Sequence, residues 1–230
     1  DGISHNIYQG LTNGDVLTYN SKRQKVTFKK NIFNTPVILI KVIKNGTFIA
    51  FSKNGEIQYF KNFELTHKEE LKKDLKFIRY DQIHNRFIGI SQNWSKSLLV
   101  HLIQIENDRI EIQNHKVAIN ISPETIFTQS NNKIFSLTNN RLDLIDLKIF
   151  EVIRSQQILS IKNPMNIGID GNLLFVNESD GKSLLFETKN LNLKEKVDFK
   201  QQIQTLRVHQ NKLLVFGFEN LIIRDFKGSD

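Results

Sequence analysis

The sequence predicts an all-β fold in which one unit repeats about six times. A short signature recurs along the chain: a usually small residue, then an apolar residue, then usually Ser or Thr. Its copies are Gly10-Leu11-Thr12, Ala50-Phe51-Ser52, Gly89-Ile90-Ser91, Ser136-Leu137-Thr138, Phe175-Val176-Asn177 and Val215-Phe216-Gly217. The central residues lie 40, 39, 47, 39 and 40 positions apart, which is the length of one four-stranded blade. We therefore predict a single β-propeller domain over residues 1–230, with about six blades, or seven if an N-terminal piece is missing.

Each signature is expected to lie on the second strand of its repeat and to lead through a tight turn into the third strand. The first copy enters Asn13-Gly14, a pair that tolerates the positive φ angles a type I′ turn demands. Corresponding turns are Lys53-Asn54-Gly55, Asn139-Asn140 and Glu219-Asn220. These turns predict β-hairpins at a fixed interval.

A further apolar stretch precedes each of the last five signatures and predicts the innermost strand of a blade. These stretches are residues 37–43, 77–80, 126–129, 166–169 and 205–208, and each ends in a polar turn. A fourth, outer strand is expected where there is room, as at 26–28 and 109–112. The first repeat has no clear inner strand and the last stops at its third, which would suit ring closure by strands from opposite termini.

The signature itself is explained by blade packing. Inner strands converge near the axis of a propeller, so small residues fit there, while the central apolar residue faces the space between adjacent blades. A solenoid of stacked helices is the structural alternative, but the apolar runs are short and interrupted by Asn-Gly and Asn-Asn, which disfavours helices. Only residues 65–75 look helical, and they could equally be a connecting loop.

Residues 141–148, Arg-Leu-Asp-Leu-Ile-Asp-Leu-Lys, resemble the third strand of WD40-like and quinoprotein-like bacterial propellers. In those families an acidic residue closes the third strand, and Asp146, Asp225 and Asn20 hold that place here. The resemblance in period covers nearly the whole chain and implies the propeller architecture. The chain is also similar to accessory propellers of bacterial respiratory enzymes, such as those accompanying periplasmic nitrate reductase. That similarity implies a scaffold for protein–protein interaction.

The sequence offers no recognisable catalytic or cofactor site. It contains no Cys, which excludes disulfides, thiolate metal sites and Cys nucleophiles. Its 6 His residues include no pair at metal-ligand spacing, and no nucleotide-binding or nucleophile-elbow motif occurs. His84 and His209 lie near comparable turns, which indicates a structural role. We expect no metal, no cofactor and no catalytic residue.

The charge of the chain bears on its partners. Lys and Arg number 32 against 24 Asp and Glu, a net charge of +8, which attracts nucleic acid, anionic lipid or an acidic protein. The basic residues are spread along the chain, so nucleic-acid binding is disfavoured and an acidic protein partner is expected. No apolar run is long enough for a membrane helix. The sequence leaves the oligomeric state open.

The predicted contact site lies in two second-to-third-strand loops that look longer than the others, residues 92–97 and 178–183. Loops of repeat scaffolds often form the binding face, and the first loop holds the single Trp of the chain. Because Trp is enriched in binding hot spots, we predict partner contacts at five residues. They are Asn93, Trp94, Lys96, Asp180 and Lys182.

Two alternatives to this interaction scaffold stay open. One is a propeller enzyme or carbohydrate-binding module with a site at the central channel, formed by inner-strand residues Lys41, Arg79, Gln129, Asn166 and Arg207. The other is nucleic-acid binding, which a steep loss of affinity with salt would support. Within the scaffold class, an intracellular WD40-type adaptor also stays open, and a leader peptide in the full gene would argue against it. The resemblance favours a periplasmic over a cytoplasmic location.

Overall fold

The fold is all-β. A computed structural model describes residues 5–92, 97–160, 164–209, 212–217 and 220–225. Within these ranges 22 strands form six antiparallel sheets of consecutive strands, numbered here in chain order. The chain divides into two compact units, residues 1–120 with the first three sheets and residues 121–230 with the last three.

The first unit holds 11 strands. The first sheet contains β1 (Asn6–Gly10), β2 (Asp15–Asn20) and β3 (Lys25–Asn31). The second contains β4 (Val37–Lys44), β5 (Thr47–Ser52), β6 (Glu56–Lys61) and β7 (Glu64–Glu70). The third contains β8 (Leu75–Asp81), β9 (Arg86–Gln92), β10 (Ser97–Glu106) and β11 (Arg109–Asn120).

The second unit holds the other 11 strands. The fourth sheet contains β12 (Ile126–Ser130), β13 (Lys133–Thr138), β14 (Arg141–Asp146) and β15 (Glu151–Gln157). The fifth contains β16 (Pro164–Asp170), β17 (Leu173–Glu178), β18 (Lys182–Glu187) and β19 (Leu193–Asp198). The sixth contains β20 (Ile203–His209), β21 (Lys212–Gly217) and β22 (Leu221–Asp225).

The strands expected from the sequence are present. All five predicted inner strands form, as β4, β8, β12, β16 and β20, and the predicted outer strands at 26–28 and 109–112 lie in β3 and β11. The first and sixth sheets have three strands each among the described residues, as the sequence suggests. The number of blades and the closure of a ring stay predictions.

The segment 65–75, which the sequence suggested to be a helix or a connecting loop, is mostly a β-strand. Glu64–Glu70 form β7, the outer strand of the second sheet, paired along β6 from Glu56↔Glu70 to Lys61↔Glu64. The strand is charged because it has one neighbour and its side chains are mostly exposed, the composition that outer strands use against aggregation.

The predicted turns that lie within the described residues form, with one difference in type, whereas Glu219 of the turn Glu219-Asn220 lies outside those residues. Asn139 and Asn140 both take positive φ, 45° and 65°, and join β13 to β14 as a two-residue type I′ loop should. At Asn13-Gly14 only Gly14 has positive φ, 86°, and its N–H donates to the carbonyl of Leu11 at 3.2 Å. The Asn13 side-chain oxygen instead accepts from the N–H of Asp15 at 3.1 Å. The loop from β1 to β2 comprises residues 11–14, which is longer than the two residues of a type I′ hairpin loop.

The core lies between consecutive sheets within each unit. Alternate residues of β5 face opposite ways: Phe48 and Ala50 pack with residues of the first sheet, whereas Ile49 and Phe51 pack with residues of the third. Corresponding clusters join the fourth to the fifth sheet and the fifth to the sixth. Burying a Phe in this way stabilises by about 1.5–3 kcal/mol, so a sheet gains most from having neighbours on both faces.

The signature is one residue out of register in its first and fifth copies. Gly14, Gly55 and Gly181 each donate an N–H to the carbonyl three residues earlier, at Leu11, Ser52 and Glu178. These acceptors are therefore equivalent, and Val176 rather than Phe175 corresponds to Ala50. Packing agrees, because Phe175 clusters with residues of the sixth sheet while Val176 clusters with residues of the fourth.

Candidate functional site

Three of the predicted contact residues, Asn93, Trp94 and Lys96, lie outside the described residues. Asp180 and Lys182 belong to the fifth sheet, where the second-to-third-strand connection is residues 179–181. That connection is as long as residues 53–55 in the second sheet, so it is not lengthened.

Asp180 and Lys182 form a local ion pair. The Lys182 ammonium and backbone N–H donate to the two carboxylate oxygens of Asp180 at 2.5 and 3.2 Å, and each side chain is about half exposed, 52%. The hydrogen bond from Lys182 lowers the pKa of Asp180, and the same contact raises the pKa of Lys182. The two charges largely cancel for a partner approaching from a distance.

The five inner-strand residues considered for a central-channel site fall in both units. Lys41 and Arg79 belong to the first unit, and Gln129, Asn166 and Arg207 to the second. Two of them make hydrogen bonds that hold the backbone or a neighbouring strand. Gln129 donates to the carbonyl of Asn131 at 2.5 Å, and Asn166 accepts from Asn177 at 2.7 Å and donates to the carbonyl of Gln204 at 3.3 Å.

Buried polar side chains on the third strands are a feature that the sequence analysis missed. Each lies directly opposite the small residue of a signature: Gln58 opposite Ala50, His101 opposite Gly89, and Asp143 opposite Ser136. All three polar side chains are at most 6% exposed. The sequence held this signal for two of them, since counting across the turns 53–55 and 139–140 pairs Ala50 with Gln58 and Ser136 with Asp143. The loop expected at 92–97 would have paired Gly89 with Val100, so His101 could not be found in this way.

His101 lies in an arrangement that resembles a nucleophile, a base and a residue that orients the base. Its Nε2 is 2.7 Å from Ser91 Oγ, and its Nδ1 is 2.6 Å from Asn114 Oδ1. Burial lowers the pKa of the imidazole, which favours its neutral form. Ser91 and His101 are 0% and 2% exposed, so a substrate could not reach the hydroxyl without opening the sheets. The arrangement satisfies buried polar groups.

His84 has the structural role that the sequence indicates. Its Nδ1 lies 2.8 Å from Oδ2 of the buried Asp81, which also accepts from Arg86 Nε at 3.3 Å. Asp81 and Arg86 face each other across the hairpin, so the carboxylate holds the β8–β9 connection.

A cleft of 580 Å³ lies between the second and third sheets. Ten residues line it: Lys41, Val42, Ile43, Tyr59, Tyr80, Asn85, Phe87, Ile105, Asn107 and Asp108. They come from the ends of strands near the first-to-second and third-to-fourth connections. Because consecutive strands are antiparallel, residues 53–55 and 93–96 connect the opposite ends of these strands.

Asp108 fixes one wall of the cleft by linking the two sheets. It lies in the β10–β11 turn and accepts from Lys61 Nζ at 2.6 Å and from Tyr59 OH at 3.2 Å, both on β6. The Lys61 hydrogen bond lowers the pKa of Asp108, while burial, and then Asp108, raise the pKa of Tyr59. A third link follows nearby, since the Ile110 N–H donates to His67 Nδ1 at 3.0 Å.

Lys41 and Tyr80 form another part of the cleft lining. The Lys41 ammonium lies 4.1 Å from the centre of the Tyr80 ring, within the range of a cation–π contact. The Tyr80 hydroxyl donates to Asn85 Oδ1 at 2.6 Å, and the ring packs 5.0 Å from that of Phe87. The cleft thus combines a positive charge, fixed amides and an aromatic floor.

Two negative findings concern metals and membranes. In the ranges that the structure describes, no group of three or more His, Asp or Glu side chains is placed to hold a metal ion. The same ranges contain no helix long and apolar enough to cross a membrane.

No protein-family model matches this chain, and no curated protein does. Solved structures do match. The computationally designed protein Ika8 has a TM-score of 0.69 at 9% identity, over 96% of this chain and 68% of its own. The Cps50 (Swd1) β-propeller domain of Myceliophteria thermophila has a TM-score of 0.63 at 13% identity, over 97% and 80%. A chain of the mitotic checkpoint complex has a TM-score of 0.63 at 8% identity, over 96% and 72%.

These similarities show the fold. The chain has a β-propeller fold, which agrees with the forty-residue period and the hairpins predicted from the sequence. At such low identity they carry no activity or partner across.

Proposed function

We propose that the chain, as one propeller domain over residues 1–230, is a non-enzymatic scaffold that binds a protein partner. The observation that carries the proposal is the fold, a β-propeller whose serine–histidine arrangement is buried out of reach of a substrate. The excess of 32 Lys and Arg over 24 Asp and Glu supports an acidic partner, since opposite charge steers association.

The proposed contact residues are those expected from the sequence: Asn93, Trp94 and Lys96 in one connection, Asp180 and Lys182 in another. Support comes from the single Trp of the chain, because Trp is enriched among residues that carry binding energy. Lys182 would contribute mainly by exchanging its present ion pair for one with the partner, a small gain at an exposed site.

Affinity purification from the native organism tests this proposal. The tagged chain should retain one identified protein, and Trp94→Ala should reduce its recovery, since truncating a hot-spot Trp typically costs at least tenfold in affinity. Leu65→Ala is the matched control, because Leu65 is a large apolar residue, 48% exposed, on the outer strand β7. Equal recovery with Trp94→Ala and Leu65→Ala would refute the loop site, and no partner for the wild type would refute the scaffold.

The finer proposal is an accessory factor of a bacterial respiratory enzyme, acting in the periplasm. It is supported by the resemblance in repeat length and strand endings alone. The identity of the retained protein tests the first part. Fractionation of native cells tests the second, because recovery of the chain with cytoplasmic markers would refute a periplasmic location.

A further inference from the structure

We infer that the cleft between the second and third sheets binds an acidic peptide segment in which a carboxylate is followed by a large apolar side chain. This inference rests on the proposed function in one respect, that the segment belongs to a protein partner. It names a surface other than the loops proposed above, formed by the strand ends opposite those that the β9–β10 connection joins.

The cleft has the size and rigidity of a binding site. Its 580 Å³ lies within the range of about 300–1,000 Å³ typical of ligand sites. Hydrogen bonds across the two sheets fix one side of the cleft, since Asp108 on the β10–β11 turn accepts from Tyr59 and Lys61 on β6. A site held in this way loses little conformational entropy when a ligand binds.

The charges in and around the cleft favour an anion. Among the described residues Lys41 forms no ion pair, and its ammonium rests on the Tyr80 ring instead. Asp108, a carboxylate in the lining, is already paired with Lys61 and also feels the charge of Lys44. Lys61 and Lys44 thus offset the charge of Asp108. The carboxylate of Glu106 is exposed and is not part of the lining, so Lys41 is the lining cation that can take a further carboxylate.

The rest of the cleft favours an apolar group beside that anion. The half-buried Val42, Tyr80 and Ile105 give an apolar floor, with the buried Phe87 and Tyr59 in the same lining. A carboxylate alone would not cover this floor, so the stabilisation proportional to the covered apolar area would be absent.

Two exposed apolar residues, one in the lining and one on the connection that carries Asn85, favour a peptide over a small molecule. Ile43 lines the cleft and is 53% exposed, and Ile83, in the same connection as Asn85, is 70% exposed. A small carboxylate seated on Lys41 would leave these side chains in water, whereas a peptide running across the cleft covers them.

Fluorescence anisotropy with labelled peptides tests the inference on the full chain. The probes are an eight-residue peptide of alternating Asp and Phe or Leu, the same peptide with Asn for every Asp, and 3-phenylpropionate as a competitor. The acidic peptide should bind, the Asn peptide should bind at least tenfold more weakly, and Lys41→Gln should weaken the acidic peptide about tenfold, the effect of one charge-assisted hydrogen bond. Lys41→Arg should retain most of the affinity.

Lys30→Gln is the matched control, because the Lys30 ammonium also lies over an aromatic ring, that of Phe60 at 5.7 Å, but Lys30 does not line the cleft. Circular dichroism and a thermal melt check that each variant folds. Equal loss with Lys41→Gln and Lys30→Gln, equal binding of the Asn peptide, or competition by 3-phenylpropionate at the peptide's own concentration would overturn the inference.

The two proposals fail separately. Trp94→Ala should leave peptide binding unchanged, because residues 93–96 connect the other ends of β9 and β10. Loss of peptide binding in Lys41→Gln with an intact native partner complex would support the cleft while placing the main contact elsewhere. A wild-type chain that binds no acidic peptide yet retains its partner would overturn the cleft and leave the scaffold standing.

Discussion

Phe51 and Phe87 hold the second sheet against the third, and their substitution should be costly in a coupled way. Phe51 is 0% exposed and Phe87 3%, and their ring centres lie 4.8 Å apart at an interplanar angle of 51°. Replacing either Phe by Ala in a core typically costs about 3–5 kcal/mol. Tilted ring pairs at this spacing add about 0.5–1.5 kcal/mol beyond the area that they bury.

A double-mutant cycle measures the part that belongs to the pair. Phe51→Leu, Phe87→Leu and the double variant keep most of the side-chain volume, so the chain stays folded while the ring contact is lost. Urea unfolding followed by circular dichroism should give a double variant about 0.5–1.5 kcal/mol less destabilised than the two singles together. Leu65→Ala, on an exposed outer-strand site, should change the free energy of unfolding by at most about 0.5 kcal/mol.

Strict additivity of the two substitutions would refute this reasoning. So would a cost for Phe51→Ala no larger than that of Leu65→Ala, because either result would mean that the two sheets do not pack through these rings.

Three further predictions concern single contacts. Gly168→Ala should destabilise by about 1–3 kcal/mol, because a Cβ there would overlap the Phe175 ring on the paired strand. The cost should be smaller in a Phe175→Leu chain than in the wild type. Urea unfolding midpoints that show the same cost in both chains would contradict the overlap. The free energy of unfolding of the wild type should fall as the pH drops below about 6.5. Burial lowers the pKa of His101, so the unfolded chain binds the proton at a higher pH than the folded chain does. His101 should therefore contribute a slope of at most about 1.4 kcal/mol per pH unit. His101→Gln should flatten that dependence, and an unchanged slope in urea titrations from pH 5 to 7 would contradict the assignment. Asp108→Asn should destabilise at pH 7 and less at pH 3. The Lys61 hydrogen bond lowers the pKa of Asp108, so its contribution is complete above the unfolded pKa and declines as the pH falls towards and through the lowered pKa. A difference from wild type that is the same at both pH values would contradict the link.

The fold was largely predictable because its signals are local. Turn chemistry such as Asn139-Asn140 and the alternation of apolar residues depend on backbone preferences within a few residues, and both recur in the structure. The outer strand Glu64–Glu70 was not predictable in that way. It pairs on one side only and carries charged side chains on both faces, so it lacks the apolar alternation by which strands are recognised.

The register of the signature was harder to predict because small and large residues exchange places between repeats. Phe175 looked like the small position, yet it faces the sixth sheet, and Gly168 on the neighbouring strand leaves room for its ring. The turn hydrogen bonds, such as that from the Gly181 N–H to the Glu178 carbonyl, show which residues are equivalent, and the packing of Phe175 and Val176 agrees.

The cleft could not be found from the sequence for a different reason. Lys41, Tyr80 and Asp108 are 28 to 67 positions apart and belong to two sheets. Their proximity follows from how the second sheet packs on the third, which no local pattern encodes. The sequence analysis named Lys41 as a polar inner-strand residue but did not name Tyr80, whose ring contacts it. A tyrosine near the end of an apolar strand does not by itself indicate a binding site.

Within each unit, every sheet packs against the next one in sequence, about forty residues on. Long-range nuclear Overhauser contacts between aromatic side chains of the wild-type chain test it most directly, with single Phe→Leu variants used for assignment. We predict a contact of Phe51 with Phe87, whose ring centres lie 4.8 Å apart, and one of Tyr8 with Phe48, whose ring centres lie 5.5 Å apart. Absence of both contacts in a folded chain, with Phe51 instead near residues of the fifth or sixth sheet, would contradict it.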